Sequence, residues 1–153
     1  MREIKLIILH CTATQQWATI ESIKKYWKEK LGWKNPGYHY IITPDGVIHT
    51  LLPEKEISNG VEGENHHSIN ISYIGGVDES GKAKDNRTLG QINSQINLIK
   101  DLSERYANTK IAGHNQFTKL KACPSFNVPE WLRAIGISES KIYRTSTEAH
   151  EEC

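Results

Sequence analysis

The chain has 153 residues, of which 37% are hydrophobic and 24% charged, a balance that fits one folded domain with a real core and excludes a disordered chain. Its 19 Lys and Arg against 18 Asp and Glu leave a formal net charge of +1. With no bulk field to draw it to nucleic acid or to an anionic membrane, recognition has to be local, and neither partner is expected.

Leu6 to Leu9 are apolar on both faces, the pattern of a short central strand buried on both sides, and the run ends at His10. His10 is thereby placed at a strand's C-terminal edge, where open α/β sheets gather their ligand-binding loops. The same run is too short for the apolar core of a signal peptide and has no small-residue cleavage site, so synthesis in the cytoplasm without a signal peptide is expected. From Thr19 onward, Ile20, Ile23, Trp27 and Leu31 recur at helical spacing, with Thr19 as cap, Glu21 near the N-terminal dipole and Gly32 as stop. Trp17, Tyr26 and Trp33 are expected to pack this helix on a sheet, with a sugar-binding surface as the other reading. Residues 38–42 and 47–51 flank Thr43-Pro44-Asp45-Gly46, which predicts an antiparallel hairpin.

Ser68 to Ile74 forms the next strand candidate, closed by Gly75-Gly76 and a polar loop running to Asn86. Thr88 and Gln91 make a capping box ahead of a stripe of Leu89, Ile92, Ile96, Ile99 and Leu102, which predicts a helix with that stripe inward. A short strand from Lys110 to Gly113 leads into His114, and a last helix is expected around Val128 to Ile135. The expected fold class is α/β: a single domain over residues 1–137 with a central mixed β-sheet flanked by helices. Residues 138–153 are polar and read as a loosely attached C-terminal tail.

Three cysteines, Cys11, Cys123 and Cys153, form an odd and widely spread set, unlike a disulfide framework. His10, His114 and Cys123 stand out chemically, because two imidazoles and a thiolate fill three of zinc's four tetrahedral positions and leave the fourth for water. Spacing alone does not select them. The histidines lie far apart in sequence, neither an HExxH helix nor a CxxC knuckle is present, and a hydrogen-bonded strand-end histidine or a small buried cysteine stays open for each. Cys11 adjoins His10, but successive strand side chains point to opposite faces, so Cys11 is expected in the core. Cys153 follows His150, Glu151 and Glu152 in the tail, where no preorganised site is expected.

Four blocks occur in order: His10-Cys11-Thr12-Ala13-Thr14, then Gly37-Tyr38-His39-Tyr40-Ile41-Ile42 with Asp45-Gly46, then Asn65-His66-His67-Ser68-Ile69, then Lys121-Ala122-Cys123-Pro124-Ser125-Phe126. Their order resembles the type 2 N-acetylmuramoyl-L-alanine amidases, most of all the short phage lysozymes of that family, which are relatives of the peptidoglycan recognition proteins. The resemblance covers residues 4 to about 136 and implies an amidase and peptidoglycan-recognition-like fold. It further implies one zinc ion (Zn2+) per chain on His10, His114 and Cys123, with Tyr38 and Lys121 as catalytic side chains beside the metal. Asn65 and His66 are implied as residues of the substrate groove.

The activity so implied is zinc-dependent hydrolysis of the amide bond between N-acetylmuramic acid and L-alanine in bacterial peptidoglycan. The partners are then the stem peptide and muramic acid, met as a monomer at the cell wall after release or other export, as an endolysin. Alternatives are a non-catalytic peptidoglycan-binding module, whose representatives generally lack the metal-binding cysteine, and an additional polymerase-regulating interaction through protein contact. A thiol hydrolase pairing Cys123 with His114 is a further possibility. Three departures from the family pattern stand out. Asn115-Gln116 follows His114 where relatives commonly carry an acidic residue two positions after the histidine, which removes a carboxylate from that position. The interval from His114 to Cys123 is about one residue longer than in the short phage relatives. Asn70 replaces a usual Gly, a change expected to be mild because Asn tolerates left-handed backbone geometry.

Overall fold

A computed structural model describes residues 2–145. Strands and helices alternate as β1 (Leu6–Cys11), α1 (Ile20–Glu29), β2 (Tyr40–Ile42), β3 (Ile48–Thr50), β4 (Ser68–Tyr73), α2 (Leu89–Arg105), β5 (Lys110–Gly113) and α3 (Val128–Ala134). The five strands make one mixed sheet in the order β3-β2-β4-β1-β5. β1 pairs in parallel with β4, from Leu6 opposite Ser68 to Cys11 opposite Tyr73, and with β5 on its other edge. β2 runs parallel to β4, and β3 closes the far edge antiparallel to β2. Every residue of β1 and β4 is buried, as two-sided apolar strands require.

The period of two divides β1 between the faces. Ile7 and Leu9, with Ile69 and Ile71 of β4, pack on Leu98, Ile99 and Leu102 of α2 and on Val128 and Leu132 of α3. On the other face, α1 seats Ile23 and Trp27 against Ile41 and Ile74, while Leu6 and Ile8 are covered by Val61, Phe117 and Tyr143. His10 lies two residues beyond Ile8 and shares this face, where loops rather than a helix form the cover. Among the described residues no helix is long and apolar enough to cross a membrane.

The expected caps are present: Thr19 caps α1, and Thr88 with Gln91 forms the capping box of α2. The α2 stripe holds at Ile99 and Leu102 and differs from expectation in the first turns. Leu89 is 74% exposed, and the buried face runs through Gln91, Gln95, Leu98, Ile99 and Leu102. The first turns of α2 lie over the ends of β2 and β4, where the Gln91 side-chain amide donates to the carbonyls of Ile42 (3.1 Å) and Ile74 (3.0 Å). An apolar side chain there would take this donor from the Ile74 carbonyl and leave the Ile42 carbonyl with only the Ile74 N–H, at 3.0 Å.

The polar segment after residue 137 is not loose over its described part. Ile142 is 2% exposed and bridges to Ile111 of β5, while the Tyr143 ring stacks on Phe117 at 4.9 Å. Two apolar residues in a polar run suffice to dock it. The rest of that segment, with His150 and Cys153, lies outside the described residues. Of the three aromatic residues expected to pack α1, only Trp33 does so, stacked on Trp27 at 6.3 Å; Trp17 and Tyr26 face solvent.

Candidate active site and metal centre

Parallel pairing sets the C-terminal ends of β1 and β5 side by side, and each delivers a histidine: His10 within β1 and His114 just after Gly113. Cys123 arrives from the loop beyond. Asn115 folds that loop back, its N–H donating to the Cys123 carbonyl (2.8 Å) and its side-chain amide to the carbonyls of Ala122 (3.3 Å) and Phe126 (3.2 Å). Gln116 accepts from the Gly113 N–H at 2.8 Å and donates to the Tyr143 carbonyl at 2.9 Å. Asn115 thus holds the loop, and Gln116, at the position where relatives commonly carry an acidic residue, holds the docked tail segment.

The Cys11 N–H donates to Cys123 Sγ at 3.1 Å, and the Tyr73 hydroxyl donates to the Pro124 carbonyl at 2.6 Å. Gly76, at φ +98°, has room for no side chain, since a Cβ there would lie 2.4 Å from Cys11 Sγ. Cys11 itself is in the core, as expected.

One donor atom each from His10, His114 and Cys123 lies within 4.8 Å of the others, so the group can hold a metal ion. His10 Nδ1 is 3.8 Å from Cys123 Sγ, and the two imidazoles meet edge-on at 4.9 Å. Zinc bonds of about 2.0 Å to nitrogen and about 2.3 Å to sulfur at a tetrahedral angle put those donors about 3.5 Å apart, which the observed separation approaches. Burial, with the neighbouring His114 charge, holds His10 down at about 3 against the pull of its Asn70 hydrogen bond. Burial and the Lys121 charge lower His114 as well. Both imidazoles are therefore neutral at pH 7, the state that coordinates metal. Burial pushes the Cys123 thiol well up, so ionising it calls for a strong local positive charge such as a bound cation.

Tyr38 stands beside this group, its ring 5.2 Å from that of His10 and backed edge-on by Trp27 at 5.2 Å. Its hydroxyl donates to the Cys11 carbonyl at 3.2 Å, and burial drives its pKa far above the phenol range, so it stays protonated. Lys121 is exposed, but its charge acts on both His114 and Cys123, which places it at the rim of the group.

Asn65 and His66 are not brought there. They sit in the turn entering β4, at the opposite edge of the sheet from the end of β1. Asn65 Oδ1 accepts from the N–H groups of Gly60 (3.0 Å) and Val61 (2.8 Å), and exposed His66 pairs with His67. A polar residue that sequence reasoning undervalued does reach the group. Asn70 lies inside β4 in extended backbone, with its Oδ1 2.8 Å from His10 Nε2. Its departure from Gly therefore concerns a side-chain contact and not left-handed geometry. The available signal was a buried amide in the Ser68-Ile69-Asn70-Ile71-Ser72 alternation, on the same face as His10.

The sequence profile of the N-acetylmuramoyl-L-alanine amidases matches residues 1–126. The endolysins of Escherichia phage T7 and Enterobacteria phage T3 are each 35% identical to the chain over 127 residues, 82% of this chain and 83% of theirs. Among solved structures, the N-acetylmuramoyl-L-alanine amidase LysC from Clostridium intestinale URNW matches with a TM-score of 0.75 at 25% identity, over 90% of this chain and 88% of that one. Peptidoglycan recognition protein-LE, solved in complex with tracheal cytotoxin, matches with a TM-score of 0.76 at 19% identity, over 97% and 87%, a likeness of fold alone. Profile, relatives of matching extent and shared fold agree, and the chain is an enzyme of the N-acetylmuramoyl-L-alanine amidase family.

Proposed function

We propose that the enzyme cleaves the amide bond between N-acetylmuramic acid and L-alanine at the bacterial cell wall, as an endolysin, with one zinc ion on His10, His114 and Cys123. The observation that carries this reading is the convergence of two neutral imidazoles and a cysteine sulfur within 4.8 Å at one sheet edge. Zinc bound there supplies Lewis acidity, which polarises a carbonyl and lowers the pKa of water toward about 7.

The chain's own residues divide the remaining tasks. His10 and His114, held neutral by burial, offer lone pairs without first losing a proton. Tyr38, protonated and beside His10, orients the attacking water and passes a proton through its hydroxyl. Lys121 brings a positive charge to the rim, where the oxyanion of the tetrahedral intermediate develops. A thiol mechanism through Cys123 is disfavoured, because burial raises the thiol pKa when a nucleophile needs it lowered.

Elemental mass spectrometry beside a wall-digestion assay tests the reading. Wild type is expected to carry about one zinc per chain, and Cys123→Ser to lose metal and activity together. Metal-free protein that digests walls at the wild-type rate would return the thiol mechanism.

A further inference from the structure

Four buried polar residues run in a line behind the metal-competent group: His10 (1% exposed), then Asn70, Ser58 and His39 (each 0%). Backbone groups fix the hydrogen position on His39, at the far end of this line. The Asn70 N–H points at His39 Nδ1 at 3.0 Å, so that nitrogen must be an acceptor and carry no proton. His39 Nε2 lies 2.7 Å from the Glu56 carbonyl and must be the N–H. Arg2 Nη2, 3.3 Å from the same Nε2, is the longer contact and already donates to the Glu54 carbonyl at 2.5 Å, so it does not reverse this assignment.

Since Nδ1 carries no hydrogen, the Ser58 Oγ contact at 3.1 Å has Ser58 donating to a lone pair it shares with the Asn70 N–H, and Ser58 Oγ accepts from Asn70 Nδ2 at 2.7 Å. Only Asn70 Oδ1 is left to face His10 Nε2, at 2.8 Å, and an amide oxygen can only accept. The orientation of the Asn70 amide is thus set at Ser58, where a flip would bring the amide oxygen against a hydroxyl oxygen whose hydrogen is already given to His39. Space for it depends on Gly60, since a Cβ at that position would lie 2.2 Å from Asn70 Oδ1.

We propose that Asn70, anchored by Ser58 and His39, is a positioning residue that locks His10 as its Nε2–H tautomer and so turns the Nδ1 lone pair toward Cys123 and the metal position. The proposal rests on the reading of His10 as a metal ligand. A histidine ligand whose second ring nitrogen is held by a hydrogen bond binds metal more tightly, and loss of such a partner typically weakens affinity about 10- to 100-fold.

The test uses metal-free full-length protein. Nitrogen-resolved NMR of the His10 ring in wild type is expected to find Nε2 protonated and Nδ1 bare. A wild-type ring protonated at Nδ1 overturns the lock whatever any variant does. Asn70→Ala is expected to lose the single tautomer and to weaken zinc binding about 10- to 100-fold in chelator competition, while Asn70→Asp, which keeps the acceptor oxygen, restores both. Gly60→Ala, which leaves Asn70 in place but crowds its amide, is expected to shift the tautomer in the same way as Asn70→Ala. A folded Asn70→Ala with the wild-type tautomer and zinc affinity overturns the proposal. Wild-type protein with the locked tautomer but no zinc binding would instead sink the metal reading alone.

Discussion

A buried imidazole leaves a mark on the pH dependence of folding. His10 titrates near its ordinary 6.5 in the unfolded chain and at about 3 in the folded one, with burial as the main cause. Between those values the unfolded state binds a proton that the folded state refuses. The metal-free protein should therefore keep the full contribution above pH 6.5 and lose it progressively as pH falls toward 3. His39 and His114 shift the same way, so His10→Gln should shallow the decline without abolishing it. Denaturant midpoints between pH 7 and 4 measure this, and an unchanged slope in the variant would show that His10 is not held neutral by the fold. Lys121 makes a separate prediction, because in the proposed mechanism its exposed charge serves the reaction without itself binding the metal. Lys121→Ala should lower turnover roughly a hundredfold or more while leaving zinc content intact. Near-normal wall digestion by that variant would remove its role. His10, Tyr38, Lys121 and Cys123 could be singled out in the sequence because each falls in a motif block, and His114 because it follows a short strand. Asn70 could not, because its partner is brought alongside only by the parallel register of β1 and β4.

Among the elements, the helix caps and strand ends were readable because they are local chemistry: a hydroxyl before a helix, a glycine after a strand. The inward face of α2 was readable in its second half, where Ile99 and Leu102 are buried, and not in its first, where tertiary hydrogen bonding overrode apolar periodicity. Gln91 is buried to serve two strand-end carbonyls, while Leu89, on the expected stripe, faces solvent. Gln91→Leu would improve the apolar pattern and is nevertheless expected to destabilise the protein by about 1–3 kcal/mol, the cost of taking its buried donor from the Ile74 carbonyl. Leu89→Ala should stay within about 0.5 kcal/mol. Urea titration of the two variants checks the contrast, and the reverse ranking would mean that α2 sits on the sheet by its apolar stripe.

For the molecule as a whole, sequence reading reached a mixed sheet flanked by helices, but strand order depends on crossovers that leave no mark in local pattern. The same limit hid the docking of the segment after 137, whose Ile142 meets β5 across a long stretch of chain. Ile142→Ala should cost about 2–5 kcal/mol, as for other buried isoleucines, where a loose tail would lose nothing measurable. The docked segment also braces Gln116, next to the loop that presents Cys123, so the scaffold behind the metal group extends past the residues matched to the family profile. The measurement that bears most directly on the central claim is wall digestion by wild-type protein before chelation, after full chelation, and after stoichiometric zinc is returned. Loss of activity with the metal and recovery at about one zinc per chain is the predicted result. Undiminished digestion by verified metal-free protein would contradict it.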